Sequence, residues 1–160
     1  MSADALYDRA IQALTGNPRD LPAARALFRQ AGEAGRLDAA VIHANFVANG
    51  TGGPADWSEG LRLTRALAAR NRRSGRELAV IDAMTLTPAG DPVQRPEGRV
   101  VSEAPHITRF DGLFTAAECR YLAEAATPML EPSVVVDTAT GRQVRDPVRS
   151  SDGVDRKSVV

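Results

Sequence analysis

The stretch DLPAARALFRQAGEAGRLDAAVIHANFVANGTGGPAD, residues 20–56, decides the fold of the first half of the chain. Asp20 is suited to cap a helix whose apolar side chains recur every three or four residues, and Gly35 is suited to end it. A second helix is expected from Asp38 to Asn49, because Gly50 can take the left-handed conformation that closes a helix. The stretch therefore predicts two short antiparallel helices.

The same pattern recurs 36 residues later, where Asp56 and Leu63 occupy the positions of Asp20 and Leu27. An offset of this size is typical of helical-pair repeats, in which one pair cannot bury its own apolar face. We expect about five short helices in residues 1–86, with residues 57–86 forming a divergent capping pair. Trp57 follows Asp56 directly and is interpreted as a packing anchor for the repeat turn.

Small and apolar residues form a fixed motif, Ala24-x-x-Leu27-Phe28-x-x-Ala31-Gly32-x-x-Gly35, which is followed by Gly50-x-Gly52-x-Pro54-x-Asp56. This motif resembles the Sel1-like repeat, a relative of the tetratricopeptide repeat. The chain departs from that pattern at three positions, with His43 in place of leucine, Gly60 in place of alanine and Asn71 in place of glycine. The resemblance implies that the helical region binds a peptide or protein partner.

Residues 87–104 are rich in residues that stop helices: Pro88, Gly90, Pro92, Pro96 and Gly98. We expect a linker or an ordered loop here, followed by a third region at residues 105–160. Ile107 and Phe110 bracket a predicted strand.

A helix is expected after Thr115, because Thr115 and Glu118 have the spacing of a capping box. Cys119 lies on the apolar stripe of this helix and is interpreted as a core residue. Pro128 is expected to end the helix. Residues 133–137 and 143–148 then predict the two strands of a hairpin. The fold class is therefore mainly α, with a small α+β segment.

The third region contains four short sequence motifs, in this order: Phe114-Thr115-x-x-Glu118-Cys119, Ser133-Val134-Val135-Val136-Asp137, Gly141 and Arg149-Ser150-Ser151. Together they resemble the N-terminal edge of prolyl 4-hydroxylase-type dioxygenases, whose oxygenase domain is a double-stranded β-helix. The resemblance implies Fe(II), 2-oxoglutarate and ascorbate as cofactors of an intact member, and hydroxylation of a peptide or protein side chain. It also implies that Arg149 and Ser151 bind the substrate. The alternative for this pair is an ordinary polar loop.

Prolyl 4-hydroxylase-type dioxygenases bind iron through a His-x-Asp motif and a distant histidine. The two histidines of the chain lie in His43-Ala44-Asn45 and His106-Ile107-Thr108, and neither triplet contains a carboxylate. We therefore expect no metal ligand, no catalytic residue and no bound cofactor in this chain, and no activity of the chain alone. The rival hypothesis is a non-enzymatic Sel1-repeat interaction module.

Composition excludes several other classes of function. Twenty basic residues balance twenty acidic residues, so no overall charge favours nucleic acid or an anionic membrane. The first residues contain no apolar run, so neither a signal peptide nor a membrane span is expected, and the chain is predicted to be cytoplasmic. The single Cys119 agrees with a reducing compartment and excludes a cysteine-based zinc site. Arg62, Arg65 and Arg70 are interpreted as solvated helix faces.

Overall fold

A computed structural model describes residues 1–145, 148 and 151–153 of the chain. These residues form a mainly α structure that clusters into two compact units, Met1–Leu113 and the part from Phe114 onward. The helices are α1 (Ala3–Thr15), α2 (Leu21–Glu33), α3 (Leu37–Asn49), α4 (Trp57–Ala68), α5 (Arg72–Asp82) and α6 (Ala116–Ala126). Among the described residues, none of these helices combines the length and the apolar character needed to cross a membrane.

Six short strands complete the described structure: β1 (Gly98–Glu103), β2 (His106–Phe110), β3 (Glu131–Pro132), β4 (Val134–Val136), β5 (Gln143–Arg145) and β6 (Asp152–Gly153). They form three two-stranded antiparallel sheets, which pair β1 with β2, β3 with β6, and β4 with β5.

The predicted helix ends are confirmed at Asp20, Gly50 and Asp56, which cap α2, α3 and α4. Asp20 accepts a hydrogen bond from the Ala23 backbone N–H at 3.0 Å and begins α2. Asp56 does the same for α4 through the Glu59 N–H at 2.9 Å. Gly50 closes α3 with a φ of 74°, a conformation that costs glycine little. The five helices of the first unit agree with the number expected for residues 1–86.

The core of the first unit lies between α1, α2 and α3. Phe28 of α2 is fully buried, and its ring packs edge-to-face between Tyr7 of α1 and Phe46 of α3, with centroid distances of 5.7 and 5.6 Å. Small buried residues surround these rings: Ala10, Ala24, Ala31 and Ala39. The core thus consists of three aromatic rings surrounded by small side chains. Because these side chains are small, the helices can pack closely.

Two glycines bring α2 and α4 close to α3. A Cβ atom built on Gly32 of α2 would lie 2.9 Å from the Ala40 Cα. A Cβ atom on Gly60 of α4 would lie 2.6 Å from the Ala48 Cβ. Such distances are shorter than van der Waals contact, so each position accommodates only hydrogen without a shift of a neighbouring helix. Gly60 fills a packing role although it departs from the resembled motif.

The segment at residues 87–104 is more structured than the sequence indicates. Residues 98–103 of this segment form β1, which pairs with β2 from Gly98 opposite Phe110 to Glu103 opposite His106. Gly90 lies against the indole ring of Trp57, where a Cβ would be 2.6 Å from the ring. The start of the segment therefore packs against α4, and Trp57 contacts the segment that follows the helical pairs.

The second unit contains the predicted helix and hairpin, and positions 146 and 147 of the second predicted strand lie outside the described residues. Thr115 and Glu118 form both bonds of a capping box, Glu118 N–H to Thr115 Oγ1 at 3.2 Å and Thr115 N–H to the Glu118 carboxylate at 2.8 Å. The hairpin pairs Val134 with Arg145 and Val136 with Gln143. This local order agrees with the sequence, since a cap and a short hairpin depend on neighbouring residues.

The interpretation of Cys119 as a core residue is wrong, because its side chain is exposed. Leu122, on the same stripe, is 51% exposed, and no residue of α6 is buried. The periodic pattern correctly marks the apolar face of α6. It does not show whether another element covers that face.

Candidate functional site

A groove opens between α2, α3 and α4, with a volume of about 340 Å³. We call it the α2–α4 groove. Its apolar lining comes from Ala40 of α3 and from Leu63 and Leu67 of α4. Its polar lining comes from all three helices: Arg29, Glu33, His43, Glu59 and Arg62. Cavities of this size that combine apolar walls with a few polar groups are typical of small-ligand or peptide-side-chain sites.

His43 projects into this groove from α3 and is half-buried. Burial is the main factor that lowers the pKa of His43 below its ordinary value, and the guanidinium groups of Arg25 and Arg29 lower it further. Glu33 and Glu59 oppose this effect but are weaker than the two arginines. The imidazole is therefore neutral near pH 7 and lies in a locally positive field.

Two ion pairs line opposite walls of the groove and differ in strength. On α4, Arg62 donates to both carboxylate oxygens of Glu59, with distances of 2.6 and 2.7 Å. This contact lowers the pKa of Glu59. On α2, Arg29 Nη1 lies 3.6 Å from Glu33 Oε1, and both side chains are more than half exposed. An exposed pair at this distance contributes little, so Arg29 can take another partner at small cost.

A second cavity, of about 350 Å³, lies between α4, α5 and the segment that follows α5. Trp57 and Leu61 line one side, and Leu86 and Pro88 line the other. Ser58 Oγ donates to the Pro88 carbonyl at 3.4 Å. This cavity is the gap left where the chain folds back over Trp57, and its contacts agree with the interpretation of Trp57 as a packing residue.

The histidines do not form an iron site with the residues around them. His106 is exposed, and its ring contacts the Thr108 hydroxyl at 3.2 Å and the Glu103 carboxylate at 3.4 Å. His43 faces arginines, whose charge opposes the binding of a cation. Within the described residues, no group of three or more histidine, cysteine, aspartate or glutamate side chains could hold a metal ion. The donor set does not fit Fe(II).

The two residues predicted to bind substrate have different outcomes. Arg149 lies outside the described residues. Ser151 is exposed, and its Oγ lies 3.2 Å from the Ser133 Oγ, while its carbonyl accepts a hydrogen bond from the Ser133 N–H at 3.0 Å. These contacts place Ser151 beside the start of the β4–β5 hairpin. A role of either residue in substrate binding stays a prediction.

Sequence reasoning missed the α2–α4 groove. It assigned Arg62 to a solvated helix face, and the structure shows that Arg62 is exposed but also lines a cavity. The pairs Arg29–Glu33 and Glu59–Arg62 have helical spacing and read as ordinary surface pairs. The sequence feature that could have indicated the groove is His43, which occupies a position where the Sel1-like repeat has leucine.

Comparison with known proteins gives partial similarity to plant prolyl 4-hydroxylases. The chain is 34% identical to "Probable prolyl 4-hydroxylase 10" of Arabidopsis thaliana over 79 residues, which are 48% of this chain and 27% of that protein. It is 42% identical to "Prolyl 4-hydroxylase 1" of the same plant over 60 residues, 38% of this chain and 20% of that protein. The matches thus cover about a quarter or less of each relative.

No protein-family model matches the chain. No solved structure matches it either. The partial matches support a relationship to prolyl 4-hydroxylases, in agreement with the resemblance of the third region.

Proposed function

We propose that the chain is part of a prolyl 4-hydroxylase-type dioxygenase that depends on Fe(II) and 2-oxoglutarate and hydroxylates a peptide or protein side chain. In this proposal the first five helices are Sel1-like repeats that recognise the substrate. The part from Phe114 onward is the start of a double-stranded β-helix, and the iron ligands belong to polypeptide other than these 160 residues. The observation that carries the proposal is the partial identity to two prolyl 4-hydroxylases.

The surface of the second unit supports this reading. The helix, the hairpin and the residues that flank them carry large apolar side chains that are at least 40% exposed: Phe114, Leu122, Leu130, Val134, Val136 and Val144. A two-stranded sheet with such side chains is marginal in water and is stable as the edge of a larger sheet. An oxygenase sheet continued by further strands would cover these side chains and pair the open strand edges.

The donor set supports the assignment of iron binding to other polypeptide. Neither His43 nor His106 belongs to a His-x-Asp motif. The positive charges of Arg25 and Arg29 near His43 oppose a cation, and His106 has one carboxylate nearby, that of Glu103, which is fewer ligands than an iron site needs. We therefore expect no specific binding of Mn(II) with 2-oxoglutarate by the 160-residue chain. Isothermal calorimetry measures this directly, and one-to-one binding would contradict the proposal.

A decisive test uses the transcript that encodes the chain. If the open reading frame or a neighbouring frame encodes a His-x-Asp motif and a later histidine after these residues, the joined polypeptide is expected to bind Mn(II). It should also hydroxylate a peptide in the presence of Fe(II) and 2-oxoglutarate. If a full-length transcript encodes no such residues, the oxygenase proposal is refuted.

The second candidate function is a non-enzymatic interaction module built from the helical pairs. The α2–α4 groove favours it, because that cavity is formed entirely by the first unit and needs no part of an oxygenase. The transcript test separates the two candidates, since the module requires no iron ligands. Both candidates assign partner binding to the same helices.

A further inference from the structure

We propose that the α2–α4 groove binds an acidic side chain of an extended peptide segment, with the carboxylate between Arg29 and His43 and the aliphatic part of the side chain against Leu63 and Leu67. The inference deepens the partner-binding role proposed above for the helical region. It depends on the first unit alone and does not depend on iron chemistry.

Charge complementarity identifies the ligand. At the His43 ring, the positive effect of Arg25 and Arg29 exceeds the negative effect of Glu33 and Glu59. Arg25 is held in place because its Nη1 donates to the Pro54 carbonyl at 3.0 Å, and its charge contributes to the field at the ring. Arg62 and Glu59 offset each other in their ion pair, and Arg25 and Arg29 outnumber Glu33, so a carboxylate beside the ring meets a net positive charge.

Arg29 is the group that is available to contact the ligand. Its distance of 3.6 Å from Glu33 is longer than a good charge-assisted hydrogen bond, and both side chains are largely in water. Arg62 is different, because Glu59 occupies its fork at 2.6 and 2.7 Å and cancels most of its charge. The exposed carboxylate of Glu33 can remain solvated when Arg29 turns toward a ligand.

His43 supplies a second donor in the same groove. The neutral ring can donate one N–H to a carboxylate, and the protonated ring donates with a full charge. A bound carboxylate favours the protonated ring, so binding should raise the pKa of His43 and should strengthen as the pH falls from 7.5 toward 5.5. The charged groups around the ring are Arg25, Arg29 and Glu33 from α2 and Glu59 from α4, and Arg62 of α4 lines the same groove.

The test uses three pools of acetylated, amidated pentapeptides with Glu, Gln or Lys at the centre and mixed Ala, Leu, Ser and Gly at the other positions. Two-dimensional amide NMR of the full 160-residue chain follows each titration, without iron or 2-oxoglutarate. The Glu pool is expected to shift resonances of Arg29, His43 and Leu63. The Gln pool is expected to bind about tenfold more weakly, as for loss of one charge-assisted contact, and the Lys pool more weakly still.

Matched variants separate binding from folding. Arg29→Gln is expected to weaken the Glu pool by about tenfold, and Arg29→Lys is expected to restore part of that loss. Arg65→Gln is the control, because Arg65 lies on α4 but pairs with Asp82 at 3.0 Å and lines the other cavity. Circular dichroism verifies that each variant is folded.

His43→Gln adds a readout that a purely structural role would not change. It should remove the pH dependence of binding while leaving a weaker, pH-independent affinity for the Glu pool. The inference is overturned by equal binding of the Glu and Gln pools, by an Arg29→Gln variant that binds as the wild type does, or by the absence of shifts up to about 10 mM peptide. None of these results depends on the presence of an oxygenase domain.

Discussion

Replacement of Phe28 by alanine should strongly destabilise the first unit. Phe28 is fully buried and packs edge-to-face against Tyr7 and Phe46, so one ring joins α1, α2 and α3. Loss of a buried phenylalanine side chain costs about 3–5 kcal/mol through lost burial and the cavity left behind. Because two aromatic contacts disappear with the ring, we expect the upper half of this range, about 4–5 kcal/mol.

This cost is a large part of the stability of an ordinary domain, which is about 5–15 kcal/mol. Urea unfolding at pH 7, followed by circular dichroism at 222 nm and by fluorescence of Trp57, measures it. With a slope of about 2 kcal/mol per molar urea, the midpoint should fall by about 2 M. Phe28→Leu keeps part of the apolar volume and should cost about 1–2 kcal/mol, which gives a measurable value even if Phe28→Ala does not fold.

Phe114→Ala is the matched control. Phe114 is 53% exposed, so its replacement should change the unfolding free energy by less than about 0.5 kcal/mol. The reasoning is refuted if Phe28→Ala costs less than about 1 kcal/mol, or if Phe114→Ala costs as much as Phe28→Ala.

Three further predictions concern packing, the open hairpin and pH. Gly60→Ala should destabilise the first unit by about 1–3 kcal/mol, because the new Cβ would clash with Ala48. This cost should exceed the gain from the better helix propensity of alanine. A variant that is more stable than the wild type in urea unfolding would contradict this prediction. Amide exchange at Val134–Val136 should be fast while amides of α2 are protected, since the β4–β5 hairpin has only two short strands; strong protection of these valines in a monomer would exclude an open edge. Arg36 donates to both carboxylate oxygens of Asp38, at 2.9 and 3.0 Å, and lowers the pKa of that carboxylate. The stabilisation from this ion pair is therefore complete above the unfolded pKa of aspartate, about 4, and is lost as the pH falls through the folded pKa. Asp38→Asn should accordingly be less stable than the wild type at pH 7, and the unfolding midpoints should converge as the pH falls below the folded pKa of Asp38. A difference that stays constant with pH would count against this ion pair.

The sequence predicts the parts of this fold that depend on neighbouring residues. Asp20, Asp56 and Thr115 begin helices as expected, because each cap satisfies backbone N–H groups two or three residues away. The same locality explains the β4–β5 hairpin. Strand β1 was not predicted, because its partner β2 supplies the hydrogen bonds and the residues of β1 alone show no clear alternation.

The candidate site was harder to predict, for two physical reasons. An apolar helix face indicates burial only if another element covers it, and the exposure of Cys119 and Leu122 shows that the pattern alone does not identify that element. A groove depends on the relative placement of three helices, which the sequence does not show directly. Arg29 is loosely paired with Glu33 and Arg62 is tightly paired with Glu59, and this difference is visible only in the distances within each pair.

The small residues that stabilise the helical pairs also shape the groove. Gly32 brings α2 against Ala40 of α3, and Gly60 brings α4 against Ala48 of the same helix. Both outer helices therefore pack closely on α3, which places the backbone of α3 at the base of the groove and the side chain of His43 between the two walls. A leucine at position 43, as in the resembled repeat, would make this base apolar. The substitution by histidine converts a packing position into a polar group that can contact a ligand.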